Sequence, residues 1–119
     1  MQFTVDRLAT FLELVKIWRA PVSAVVFIRT QQELNTLFEH FNDGSPWFPL
    51  LSRFVDLHLF RGQGSEPYPI NKLRNIALKN VRTHFVLSLD VDFIPCRDMH
   101  QLLRHACMMV RSSQFSAKH

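Results

Sequence analysis

A chain of 119 residues with 47% hydrophobic residues and a formal net charge of +4 has the balance of a folded domain, which excludes disordered and fibrous classes. Eleven Phe and two Trp against three Gly give enough apolar bulk for the core of one α/β domain or part of one. The Lys and Arg residues are spread without a run of five, a balance that suits an anionic ligand. No basic motif interleaved with aromatics supports nucleic-acid binding.

In chain order, helix and strand patterns alternate. Asp6 reads as an N-cap, after which Leu8, Phe11, Leu12, Val15 and Trp18 fall on one helical face. Ala20-Pro21 ends that helix, because Pro disfavours helical geometry in the residue before it. The run Val22 to Ile28 has the continuous apolar character of a strand buried on both faces. Thr30 with Glu33 forms a capping box for a second helix, with Leu34, Leu37, Phe38 and Phe41 inward. Turn residues from Asn42 to Pro46 lead to Trp47–Leu51, which reads as loop or a short helix.

Val55 to Phe60 alternates apolar and polar, as a strand nearer a sheet edge does. Pro69 suits the first position of a third helix, with Ile70, Leu73, Ile76 and Ala77 as its buried stripe. Phe85 to Leu89 reads as another buried strand. A last helix is predicted from about Asp98 to Val110, with Leu102, Leu103, Ala106 and Val110 inward. Strands alternating with helices imply a mostly parallel sheet covered on both faces. The chain is read as opening on a helix without a strand before it, and as stopping where an α/β domain normally continues.

The chemistry concentrates at Asp90 and Asp92, directly after the apolar run ending at Leu89. Open α/β sheets bind ligands beyond the carboxyl ends of their strands. In an extended segment residues two apart point the same way, so both carboxylates could face one Mn²⁺ or Mg²⁺ completed by substrate phosphates. The competing reading makes them turn or capping residues between strand and loop, and the tripeptide alone does not separate the two. A phosphatase with a nucleophilic Asp in the same spacing is disfavoured: that motif normally follows the first strand and carries Thr or Val where Ile94 stands.

A second cluster comprises Asn71, Arg74 and Asn75, at i, i+3 and i+4 on one helix strip. Such a strip can hydrogen-bond a nucleotide or its phosphates, or can simply be a solvated face. The six His residues (40, 58, 84, 100, 105 and 119) show no ligand spacing. Arg97, Arg104 and Arg111 describe a wet helix face, and Gly62-Gln63-Gly64 lacks the context of a phosphate loop. Cys96 and Cys107 form neither a disulfide framework nor a zinc site, and free thiols are the expectation over a bridge. No stretch reaches the ~18 apolar residues of a transmembrane helix, and nothing at the start resembles a signal peptide.

Four blocks, Thr4–Leu8, Trp18–Ala24, Tyr68–Ala77 and Leu87–Pro95, resemble glycosyltransferase family 49 in content and order. This family includes LARGE-type glucuronyltransferase domains and a β-1,4-glucuronyltransferase. The resemblance implies an α/β, Rossmann-like GT-A fold and an inverting transfer from a UDP-sugar donor to a glycan or glycoprotein acceptor. It further implies Mn²⁺ (or Mg²⁺) held by Asp90 and Asp92, and places Asp6, Arg7, Asn71, Arg74 and Asn75 on the donor side. A Golgi-lumenal setting behind a membrane anchor outside this chain is also implied.

Against the family pattern, residues 1–119 are expected to be a partial donor-binding subdomain. The first strand, the acceptor-binding half and the catalytic base that single displacement needs are expected to be missing. The 119 residues alone are therefore expected to be inactive and poorly stable. The alternative function is a GT-A-like binding or scaffolding module without turnover.

Overall fold

The computed structural model describes residues 1–93 and 95–117, with side chains through residue 109; the expectations at Ile94, Val110, Arg111 and His119 lie outside them. In chain order the elements are β1 (Gln2–Thr4), a 3-10 turn (Val5–Arg7), α1 (Leu8–Trp18), β2 (Val22–Ile28), α2 (Gln31–Phe41), α3 (Phe48–Phe54), β3 (Val55–Arg61), α4 (Ile70–Lys79) and α5 (Met99–Ala117). The strands form one parallel sheet in the order β1-β2-β3.

The middle strand organises the core. Along β2, Ala24, Val26 and Ile28 face one side, where they pack with Phe3, with Leu8, Phe11, Leu12 and Val15 of α1, and with Leu37 and Leu51 of α2 and α3. Val25 and Phe27 face the other side, against Leu73 and Ala77 of α4. The period of two therefore distributes one apolar run between two helical layers, as a strand buried on both faces requires. Phe3 and Phe11 stack with ring centroids 4.5 Å apart, which ties β1 to α1. Fully burying side chains such as Phe11 and Phe27 contributes roughly 2–3 kcal/mol each as an upper estimate.

The helix boundaries have local causes. Arg19 takes a left-handed conformation (φ 51°) and its N–H returns to the Val15 carbonyl at 3.0 Å, closing α1 just before Ala20-Pro21. Thr30 Oγ1 accepts from the Glu33 N–H at 3.1 Å, the cap expected for α2. Ser23 Oγ donates to the Ala77 carbonyl at 2.7 Å, fastening the C-terminal half of α4 to β2. The strand at 55–61 lies on the sheet edge, as its alternation predicts.

Several expectations are corrected. The first strand is present: Gln2–Thr4 pairs in parallel register with Val25–Phe27. Three residues are too few for any periodicity to register, so they read as the approach to α1. Asp6 is not the N-cap of α1; it sits inside the 3-10 turn that Thr4 opens, and Arg7 precedes α1 without a side-chain cap.

Phe85–Leu89 is not a strand, and β1 is an edge rather than a central strand among the described residues. Phe85 and Val86 are each 50% exposed. An apolar run becomes a strand only where a neighbour completes its backbone hydrogen bonds, and β1 presents three residues on that side. Phe38 is also 50% exposed, because α2 is rolled so that Leu37 meets the core. Ile70 lies outside the α4 stripe. On α5, Leu102 is 65% exposed and Ala106 is exposed, with Leu103 half-buried; the helix meets α1 through His100, edge-on to Trp18 at 5.0 Å.

Candidate functional site

The short β1 delivers the chain straight into the turn at Val5–Arg7, so Asp6 and Arg7 stand at a strand's carboxyl end. That is the end at which parallel α/β sheets place ligands. Thr4 Oγ1 hydrogen-bonds Asp6 Oδ1, orienting the carboxylate, while both Asp6 and Arg7 remain exposed.

Asp90 and Asp92 reach the same place through the residue between them. Val91 is 5% exposed and belongs to the core cluster containing Phe3 and Leu8. With Val91 driven inward, its acidic neighbours are left at the surface. The local backbone is a turn, not the extended segment expected: Asp90 Oδ1 accepts from the Asp92 N–H, and the Asp90 carbonyl from the Phe93 N–H, both at 3.0 Å. An Asp side chain closing a turn two residues on is a common Asx device.

One oxygen of Asp90 is thus engaged in the turn. Asp92 Oδ1 lies 3.4 Å from Arg7 Nη1, so the two segments named from sequence meet in an ion pair.

On α4, Asn71, Arg74 and Asn75 are exposed opposite Leu73 and Ala77, forming the expected polar strip. Arg74 reaches the acidic cluster electrostatically, and Tyr68 reports it. Burial raises the Tyr68 hydroxyl above the ordinary tyrosine value; Arg74 pulls it back, and Asp90 and Asp6 push it further up. Burial also lowers the Met1 amine, with Arg74 adding to that effect. The charges of Asp6, Arg74 and Asp90 therefore all act on one phenol. Asn71 and Asn75 make no side-chain hydrogen bond among the described residues.

Tyr68 is the residue that the site assignment from sequence missed. Its hydroxyl donates to Gln2 Oε1 on β1, and its ring meets Phe27 of β2 edge-on at 5.2 Å. The available signal was the chain's single Tyr, placed directly before Pro69 and α4. Among the described residues no group of three or more His, Cys, Asp or Glu side chains that could hold a metal ion is found. Cys96 and Cys107 are free, as expected, and no helix is long and apolar enough to cross a membrane among the described residues.

Residues 53–118, more than half of the chain, match the family model described as glycosyl-transferase for dystroglycan. The chain belongs to glycosyltransferase family 49. The matched segment carries both the Tyr68–Ala77 block and the Asp90–Asp92 turn. Glycosyltransferase-like protein gnt14 of Dictyostelium discoideum is 38% identical over 104 residues, which cover 87% of this chain and 16% of that protein. Glycosyltransferase-like protein gnt15 of the same organism is 40% identical over 102 residues, covering 86% of this chain and 19% of that protein. Human xylosyl- and glucuronyltransferase LARGE1 is 29% identical over 110 residues, covering 92% of this chain and 14% of LARGE1. The chain spans less than a fifth of the length of these relatives.

Proposed function

We propose that residues 1–119 are the donor-binding part of an inverting, UDP-sugar-dependent glycosyltransferase of Rossmann-like GT-A type, acting on a glycan or glycoprotein acceptor. The observation that carries this reading is the Arg7–Asp92 ion pair, which joins the turn after β1 to the turn carrying Asp90 and Asp92, in a chain of a glycosyltransferase family.

The donor set fits a hard divalent cation. Asp90 and Asp92 offer carboxylate oxygens at the surface, and Mg²⁺ or Mn²⁺ commonly takes one or two carboxylates and completes its shell with substrate phosphates and water. Such a metal, when bound, neutralises charge developing on the departing nucleoside diphosphate. Arg7 and Arg74 supply cationic hydrogen-bond donors for the diphosphate, and Asn71 and Asn75 supply neutral ones along the α4 strip. Asp6, beside Arg7 and fixed by Thr4, is assigned to the nucleotide side. None of the described residues is assigned the role of catalytic base. A glucuronyl or related donor is favoured by the similarity to LARGE1, a xylosyl- and glucuronyltransferase, and the Golgi lumen is the proposed setting by family resemblance.

The test is retention on immobilised UDP with Mn²⁺, comparing the full chain with Asp90→Asn and Asp92→Asn. The reading expects Mn²⁺-dependent retention that both substitutions abolish. Metal-dependent retention unchanged by either would remove the ligand assignment, and would leave the binding-module alternative without this site.

A further inference from the structure

We infer that Tyr68 is a positioning residue for this site: by joining the start of α4 to β1 and β2, it sets where Arg74 stands relative to the acidic residues. The inference rests on the donor-site reading above and adds to it a residue that touches neither metal nor diphosphate.

The two halves of α4 are attached differently. Ser23 Oγ on the Ala77 carbonyl at 2.7 Å holds the C-terminal half, and burial of Leu73 and Ala77 against Val25 and Phe27 seats one residue from each half on β2. Before the first turn, Tyr68 reaches both strands at once. Its ring packs edge-on to Phe27, and its hydroxyl donates to Gln2 Oε1. The Tyr68 carbonyl also accepts from the Ile70 N–H at 3.0 Å, so its backbone is fixed to the helix it precedes.

Gln2 sits in register with Val25 and alternates with Phe3, whose side chain enters the opposite core. The α4-facing side of β1 is therefore polar. Gln2 is engaged by Tyr68, and Thr4 is engaged by Asp6. Arg74 lies six residues beyond Tyr68 on the tied helix, and its charge acts on Tyr68 together with those of Asp6 and Asp90. Loss of the hydroxyl leaves the Gln2 amide oxygen half-buried without its donor and frees the start of α4 to move relative to β1. Arg74, in the middle of a helix whose entry is loosened, loses part of the preorganisation that makes a directed contact effective.

The test uses the full chain and three variants: Tyr68→Phe, which keeps the ring on Phe27, Gln2→Met, which removes the acceptor, and the double variant. Titration with UDP in the presence of Mn²⁺ should show affinity weakened about tenfold in each single variant, with the double variant no worse than either. Binding of Mn²⁺ alone should be unchanged. The Arg74 Nε–Hε resonance of the ligand-free protein should move alike in both single variants, which loss of stability alone would not produce.

Affinity within twofold of the parent in both single variants, with Asp90→Asn still abolishing binding, would overturn the role of Tyr68. If Asp90→Asn has no effect, the donor-site reading fails instead, and the Arg74 resonance still decides whether the tie exists. Should Tyr68→Phe fail to fold, Gln2→Met carries the same comparison.

Discussion

Arg7 Nη1 lies 3.4 Å from Asp92 Oδ1, joining the turn after β1 to the turn that carries the acidic pair. The two side chains are 53% and 56% exposed, so solvent screens the pair and its contribution to stability is at most about 1 kcal/mol. Its importance is positional. A guanidinium occupies the carboxylate to which a divalent cation is assigned. Arg7→Ala is expected to change the unfolding free energy by less than ~1 kcal/mol. Calorimetric titration should show tighter Mn²⁺ binding by the variant without nucleotide, and weaker UDP binding in saturating Mn²⁺. Unaltered Mn²⁺ affinity would mean that Arg7 does not compete for Asp92.

The chain holds one Tyr, so ultraviolet absorbance of the phenolate reads Tyr68 alone. Burial raises its folded-state value above the ordinary tyrosine value of about 10, chiefly by disfavouring the charged form. For a group whose folded value is raised, the stability contribution is fully present below the unfolded value and is lost as pH rises through the folded one. The expected titration midpoint is above 10 in the native protein and near 10 in denaturant. Arg74→Met should move the native midpoint further up and Asp90→Asn should move it down, because Arg74 favours the phenolate and Asp90 opposes it. A midpoint indifferent to both substitutions would dissolve the cluster.

Val91 presents the acidic pair by burying itself between the two carboxylates. Val91→Ala should cost about 2 kcal/mol in urea unfolding, the transfer term for the lost methyl groups plus a cavity term. The same variant should bind Mn²⁺ less tightly, since the turn loses its anchor in the cluster with Phe3 and Leu8. A destabilised variant with native Mn²⁺ affinity would show that the pair is held by its own turn hydrogen bonds.

Two glycines in the loop after β3 should respond to Ala for different reasons. A Cβ on Gly62 would lie 2.2 Å from Cζ of Phe27, a ring 1% exposed, so Gly62→Ala forces either the ring or the strand end to shift. Overpacking of this kind costs about 1–3 kcal/mol. Gly64 has open space around it but a φ of +57°, so Gly64→Ala should cost only about 1 kcal/mol through backbone strain. Thermal unfolding of the two variants should rank Gly62→Ala as the more damaging, and the opposite ranking would place Phe27 elsewhere.

Long, strongly patterned elements were legible in the sequence. The continuous apolar run at 22–28 could only be a strand buried on both faces, and Thr30 with Glu33 marked the start of α2 to the residue. The three residues of β1 carried no readable period, and only their register with Val25–Phe27 makes them a strand. Phe85–Leu89 failed in the opposite sense: its composition suits a strand, but strand formation depends on a partner that local sequence does not encode.

The candidate site was legible in part. Residue type and spacing singled out Asp90, Asp92 and Arg74, and family blocks brought in Asp6 and Arg7. The turn at Asp90 differs from the extended geometry expected because Val91 is drawn into the core, an effect of tertiary packing. Tyr68 was hidden because its role lies in a bond to Gln2 at the far end of the sequence.

The most direct test of the central claim is isothermal titration of UDP into the full chain, first with Mn²⁺ and then with the metal chelated, repeated on Asp90→Asn and Asp92→Asn. The account predicts saturable binding that requires Mn²⁺ and is lost in both variants while their thermal unfolding stays native-like. Equal UDP binding with and without metal, or binding retained in both variants, would contradict it.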